Sequence, residues 1–167
     1  MTTGRKTKAI TFDIKDRGRT YTGQDRSNVD VKSMIDKINS KETQEMVKTG
    51  SLIGYWGHQI RQRFGMFPPE TAIVDGKLIR LEASAKTIEL SATKDGLVTH
   101  RQEFFANEAG EFAMKQYQAN AAAFSTAARY KEQMGKLFTT LVGGFDLVWQ
   151  PNFVANAGDG QLFDGLF

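Results

Sequence analysis

Residues 86–104 read KTIELSATKDGLVTHRQEF, and this stretch decides the fold class of the chain. Residues 86–92 alternate apolar and polar side chains with the period of two that is typical of a half-buried strand. Asp95-Gly96 then supplies the positive φ angles that a tight turn requires, and residues 97–104 lead the chain back. The stretch therefore predicts an antiparallel β-hairpin.

A second hairpin is predicted immediately before the first. Asp75-Gly76 lies between residues 71–74 and 77–83, which are rich in strand-forming side chains. Because the two hairpins follow each other directly, we expect them to form one β-meander in the middle third of the chain.

The segments outside the meander predict a mixture of strands and short helices. In chain order they are a strand at 8–14, two helices between 27 and 50, a short strand at 51–56, a helix that opens at Asn107 or Glu108, a helix or loop around 131–141 and a strand at 145–150. We therefore expect an α+β fold with a single domain, consisting of a mostly antiparallel β-sheet or partly open barrel with several flanking helices. The domain is assigned to residues 1–157, and residues 158–167 are expected to form a flexible C-terminal tail.

The composition excludes several classes of protein. There is no cysteine and there are only two histidines, so disulfides, thiolate catalysis and histidine-rich metal cages are excluded. The chain also lacks the phosphate-binding and zinc-binding motifs GxxxxGK[ST], GxGxxG and HExxH. No apolar run approaches the roughly 20 residues that span a bilayer. We expect a cytoplasmic protein with no cofactor, no metal and no membrane association.

The net charge of +3 is modest, but basic residues are concentrated near the N-terminus. They are Arg5, Lys6, Lys8, Lys15, Arg17 and Arg19, opposed only by Asp13 and Asp16. Such a segment can contact nucleic acid or an acidic scaffold, or it can simply be solvated. We favour the solvated interpretation, so a nucleic-acid partner is not expected.

Two residues stand out as candidates for nucleophilic chemistry. His58 follows the short apolar strand at 51–56, and Ser125 lies in the small-residue stretch 121–130. A serine activated by a histidine base is a common arrangement for acyl transfer. The pair alone carries little weight, since serine is common and most histidines are ordinary loop or core residues.

The order of the segments around these two residues is more informative. LIGYWGH at 52–58 precedes the meander, Ser125 follows it, and FDLVWQP at 145–151 comes last. This order resembles the prohead proteases of tailed phages, a family that looks related to herpesvirus assemblin. The resemblance covers residues 8 to 157 and includes the small-residue stretch that follows Pro151.

The resemblance implies a serine endopeptidase that cleaves scaffold and major capsid proteins during prohead maturation. Ser125 would be the nucleophile, His58 the general base and Asp146 the carboxylate that orients His58. Backbone N–H groups near Ser125, or the side chain of Arg129, would stabilise the oxyanion. The protein would act in the host cytoplasm, inside the assembling prohead or virion, and formation of a homo-oligomer would be compatible with this role.

Alternatives remain open from the sequence. His100, on the returning strand of the hairpin at 86–104, could replace Asp146 as the partner of His58 or support it. The chain could be a catalytically inactive virion structural or capsid-associated protein on the same fold, or an accessory protein that binds nucleic acid through its basic N-terminus. The distance from the Ser125 hydroxyl to a ring nitrogen of His58 discriminates between the enzyme and the inactive relative.

Overall fold

The three-dimensional structure is a computed structural model that describes residues 4–163. The strands of this part of the chain are β1 (Lys6–Thr7), β2 (Ile10–Asp13), β3 (Ile53–Gly54), β4 (Thr71–Val74), β5 (Lys77–Arg80), β6 (Ala85–Ala92), β7 (Leu97–Phe104), β8 (Ala123–Gln133), β9 (Lys136–Val148) and β10 (Leu162–Phe163). The helices are α1 (Val31–Ile38), α2 (Lys41–Thr49), α3 (Gln59–Phe64) and α4 (Glu108–Gln118), with a 3-10 helix at Val154–Ala157.

The main sheet is built around the β6–β7 hairpin. Its strand order is β10-β1-β7-β6-β3, and β2 also pairs with β7. All of these pairings are antiparallel. The hairpin predicted from Asp95-Gly96 is confirmed, with Ala92 opposite Val98 at its closed end.

The β4–β5 hairpin is confirmed, but the single meander is wrong. Asp75 and Gly76 both adopt positive φ in the turn, yet the two strands form a sheet of their own. Every residue of β5 is exposed and β4 is only half-buried at alternate residues, so this hairpin contributes no buried face to the main sheet. After this hairpin the chain returns to the main sheet at Ser84, whose N–H donates to the carbonyl of Gly54.

The expected helix or loop around 131–141 is also wrong, because these residues belong to the long β8–β9 hairpin. Met134 and Gly135 form its turn with φ angles of 53° and 78°, the left-handed pair that matches the twist of antiparallel strands. Methionine is an unusual residue at such a position, so the turn had no sequence signal. Residues 137–142 are strand formers that support the observed conformation.

Capping residues mark the ends of α1, α2 and α4. Asp30 accepts a hydrogen bond from the N–H of Ser33 at the start of α1, and Asn107 accepts one from Gly110 at the start of α4. Gly50 ends α2 in the left-handed conformation.

The core lies where the main sheet, the β8–β9 hairpin and the helices meet. It includes the fully buried aromatic side chains of Phe12, Phe104, Tyr117, Phe124 and Phe145. No sheet of the described residues closes into a barrel, and the pairing is mostly antiparallel. The expected α+β class with a single domain is confirmed.

The C-terminal segment differs in part from the expected tail. Leu162–Phe163 pair with β1, so these two residues of the expected tail extend the main sheet. Residues 164–167 of the predicted tail lie outside the described residues. None of the helices within residues 4–163 is long and apolar enough to cross a membrane.

Candidate active site

The segment that carries His58 runs alongside β9. The N–H of Leu147 donates to Tyr55 at 2.9 Å, and the N–H of Gly57 donates to Leu147 at 2.6 Å. Gly57 then turns the chain with a φ of 76°, which a residue with a side chain rarely adopts. His58 follows as the N-cap of α3 and is thereby held over the face of β9.

Ser125 and Asp146 lie directly opposite each other on β8 and β9. Directly opposed residues of an antiparallel pair present their side chains on the same face of the sheet. Ser125 is half-buried and Asp146 is fully buried. The register of the hairpin therefore brings a hydroxyl and a carboxylate to one side, beneath His58.

His58 contacts both residues. Its Nε2 atom lies 2.9 Å from Ser125 Oγ, and its Nδ1 atom lies 2.7 Å from Asp146 Oδ2. In the neutral tautomer that fits these contacts, Nδ1–H donates to the carboxylate and Nε2 accepts from the hydroxyl. The arrangement can remove a proton from Ser125 and stabilise the resulting imidazolium.

The buried carboxylate of Asp146 receives its compensating charge from Arg61. The Nε of Arg61 lies 2.9 Å from Asp146 Oδ2, and one terminal nitrogen, Nη2, lies 2.9 Å from Oδ1. The N–H of Tyr55 donates to Oδ1 as well, at 2.9 Å. A buried ion pair is tolerated only when its geometry is good and its remaining hydrogen-bonding groups are satisfied, and Asp146 meets both conditions.

The remaining donors of Arg61 bind backbone carbonyls. Nη2 donates to Ile53 at 2.7 Å, and Nη1 donates to Met66 at 2.6 Å and Gly143 at 3.2 Å. The side chain is 4% exposed. A Cβ atom at Gly143 would lie 2.9 Å from Nη1, so the absence of a side chain there makes room for the guanidinium. Arg61 thus joins α3, β3 and β9 around the carboxylate.

Sequence reasoning missed Arg61. The available signal was its position three residues after His58 at the start of a helix, because residues three apart share one helix face. That spacing places the arginine on the same helix face as the histidine.

Arg129 does not lie where an oxyanion partner is needed. It is exposed, it pairs with Leu141 farther along the hairpin, and it is absent from the residues that line the cleft around Ser125. Four residues of extended strand separate the two positions by roughly 13 Å. The expected role of Arg129 is therefore not supported by its position.

His100 belongs to the core. Its Nε2 lies 2.8 Å from Asn156 Oδ1, its Nδ1 accepts from Gln102 Nε2 at 2.9 Å, and its ring stacks on Phe145. Complete burial lowers the pKa of His100 to about 4, although its hydrogen bond to Asn156 opposes the shift. The carboxylate of Asp146, and not His100, contacts His58.

A cleft of about 530 Å³ opens in front of Ser125 and His58. One wall is formed by Arg19, Gly23, Gln24 and Arg26, and another by Val148, Gln150, Pro151 and Asn152. Arg19 and Arg26 line this cleft, and none of its described lining residues carries a carboxylate. The cleft therefore presents positive charge beside the candidate nucleophile.

The basic N-terminal segment is not simply solvated. Arg5 pairs with Glu111, Arg17 Nη1 donates to Asn152 Oδ1 at 3.1 Å, and Arg19 Nε donates to the carbonyl of Pro151 at 3.0 Å. Arg17 and Arg19 therefore attach the loop after β2 to the segment that follows β9, and this attachment shapes the cleft.

Within the described range, no three histidine, aspartate or glutamate side chains cluster in a way that could hold a metal ion. In comparisons with protein-family models, with curated proteins and with solved structures, no match to this chain was found.

Proposed function

We propose that this protein is a serine endopeptidase that uses Ser125 as nucleophile. The observation that carries the proposal is the chain of contacts from Ser125 Oγ through the His58 ring to the buried Asp146 carboxylate. Nucleophile, base and orienting acid lie within hydrogen-bond reach of one another, as acyl transfer requires.

In the first half of the reaction, the Ser125 oxygen forms a bond to the carbonyl carbon of a peptide while its proton moves to His58 Nε2. Collapse of the tetrahedral intermediate breaks the C–N bond, and His58 returns the proton to the leaving amine. In the second half, His58 takes a proton from a water molecule whose oxygen attacks the acyl carbon. The Ser125 oxygen then leaves and takes the proton back.

Asp146 and Arg61 support the base without contacting the substrate. Asp146 holds the Nδ1–H tautomer, which leaves the lone pair of Nε2 directed at Ser125. Arg61 keeps the carboxylate in place and supplies a counter-charge in a buried position. The fully hydrogen-bonded guanidinium makes this support rigid, which favours preorganisation of the base.

The substrate class comes from the sequence resemblance to prohead proteases and is supported by the cleft. Scaffold and major capsid proteins are the substrates that this resemblance implies. Arg19 and Arg26 line a cleft without a described carboxylate, which suits a substrate segment that carries acidic side chains. The open cleft also offers room for an extended peptide.

The test has two stages, because serine hydrolase chemistry and peptide specificity are separate questions. The first stage is labelling of the purified protein by a fluorophosphonate probe, with the modified residue identified by mass spectrometry. The second stage is incubation with the cognate scaffold protein, comparing the wild type with Ser125→Ala. We expect labelling at Ser125 and scaffold cleavage by the wild type only. A wild type that reacts with neither would identify the chain as an inactive structural relative.

A further inference from the structure

Two polar atoms of residues that line the cleft together with Ser125 have no protein partner. They are Asn152 Nδ2 and Thr126 Oγ1, both of which are buried and without a hydrogen bond within the described part of the chain. Both residues line the cleft and also a small chamber of about 50 Å³ next to Ser125. Buried donors are nearly always paired, so an unpaired donor on a residue that lines the cleft with the nucleophile calls for an explanation.

The amide of Asn152 is held in one orientation. Its Oδ1 atom accepts from the N–H of Gln24 at 2.8 Å and from Arg17 Nη1 at 3.1 Å. Only the oxygen of an amide side chain can accept two such bonds, so the assignment of oxygen and nitrogen follows from these contacts. The Nδ2 donor is thereby directed away from this loop.

The backbone of β8 offers a second donor at the same place. The backbone N–H of Leu147 donates to Tyr55, and its carbonyl accepts from Gly57. Both backbone groups of Leu147 therefore point away from β8, and Leu147 forms a non-hydrogen-bonded pair with Phe124. Because the two kinds of pair alternate along antiparallel strands, Ser125 is bonded to Asp146, and Thr126 directs its N–H to the outer edge of β8. No described strand pairs with that edge.

We infer that Asn152 Nδ2 and the N–H of Thr126 together bind the carbonyl oxygen of the scissile peptide bond and stabilise the oxyanion that forms on it. This assignment rests on the proposed function and replaces Arg129 in that role. Two donors held by the fold, one from a side chain and one from the backbone of the residue after the nucleophile, suit a site that stabilises a developing oxyanion. The otherwise unpaired Nδ2 then gains its partner when substrate binds.

The experiment measures the kinetics of Ser125 labelling by a fluorophosphonate, whose P=O oxygen occupies the oxyanion site while Ser125 displaces fluoride and His58 takes the proton. Asn152→Ala and Asn152→Asp both remove the Nδ2 donor. We expect the maximal labelling rate to fall about 10²- to 10³-fold in both variants, with the probe concentration at half-saturation nearly unchanged. Thermal melting of each variant checks that it is folded.

Arg17→Met separates this role from anchoring of the loop. It removes one of the two donors to Asn152 Oδ1 but leaves Nδ2 and the Gln24 N–H in place. The oxyanion role predicts that Arg17→Met reacts much faster than Asn152→Ala. Equal slowing of Arg17→Met and Asn152→Ala, or wild-type rates in the Asn152 variants, would overturn the inference. The proposed function would still stand in that case, provided that the wild type is labelled at Ser125. A wild type that is not labelled at Ser125 overturns both.

Discussion

Gly54 packs so closely against Phe145 that a Cβ atom at position 54 would overlap the carbonyl oxygen of Phe145. This contact joins β3 to β9, and the segment that follows Gly54 carries His58 to its place over Asp146. The close approach of two backbones therefore sets the position of the proposed base.

Gly54→Ala tests this contact. The new methyl group would meet backbone atoms of Phe145. Rotation of a side chain cannot remove this clash, so β3 must move away from β9. We expect a loss of about 1–3 kcal/mol in the free energy of unfolding and a strong loss of Ser125 labelling. Urea unfolding and fluorophosphonate labelling provide the two measurements. Ser51→Ala, at an exposed position three residues earlier, is the control and should change neither.

Ser125→Ala and His58→Ala should each remove nearly all proteolysis, and the double variant should cost little more. Members of a nucleophile and base pair act as one unit, so their losses do not add. Both side chains are partly exposed, so melting temperatures should stay close to that of the wild type. Scaffold cleavage followed by mass spectrometry gives the rates, and robust cleavage by Ser125→Ala would contradict the assignment of the nucleophile.

Asp146→Asn should reduce kcat by about 10⁴-fold, because an amide that donates to Nδ1 of His58 forces the proton onto Nε2. The ring can then no longer accept the Ser125 proton. The variant also leaves Arg61 buried without its counter-charge, so we expect a stability loss of about 3–5 kcal/mol. Activity should be measured under conditions where circular dichroism shows the variant to be folded. Full activity in the folded variant would assign the orienting role to another residue.

Arg61→Met should leave the Asp146 carboxylate uncompensated beside His58. The carboxylate is then held less firmly under the His58 ring, so we expect kcat/KM to fall roughly 10- to 100-fold. Arg63→Met is a matched control, since Arg63 is exposed on the same helix. A folded Arg61→Met variant that keeps the kcat/KM of the wild type would contradict this support of the base.

His100 should make the protein less stable in acid. Its pKa is about 4 in the folded state and is expected near 6.5 in the unfolded chain, so between these values only the unfolded chain binds the proton. The stabilisation is complete above pH 6.5 and is lost as the pH falls toward 4, by roughly 3 kcal/mol in total. Urea unfolding of the wild type and His100→Asn at pH 7 and pH 4.5 measures the effect. An equal pH dependence in both proteins would contradict it.

Local features of the fold could be predicted from the sequence because their causes act over a few residues. Asp75-Gly76 and Asp95-Gly96 set two hairpin turns, and Asn107 caps α4. Ser125, His58 and Asp146 could be named as candidates by their order along the chain, and the structure brings these three together.

Other features were decided only by the tertiary structure. Whether Arg61, Arg129 or Asn152 belongs to the site depends on the register of β8 against β9 and on the close backbone contact between β3 and β9. These relationships join residues that are far apart in sequence, and a shift of one residue in register would turn each side chain to the opposite face of the sheet. A sequence pattern shows which residues share a strand face, but the burial and backbone contacts that select one register exist only in the folded chain.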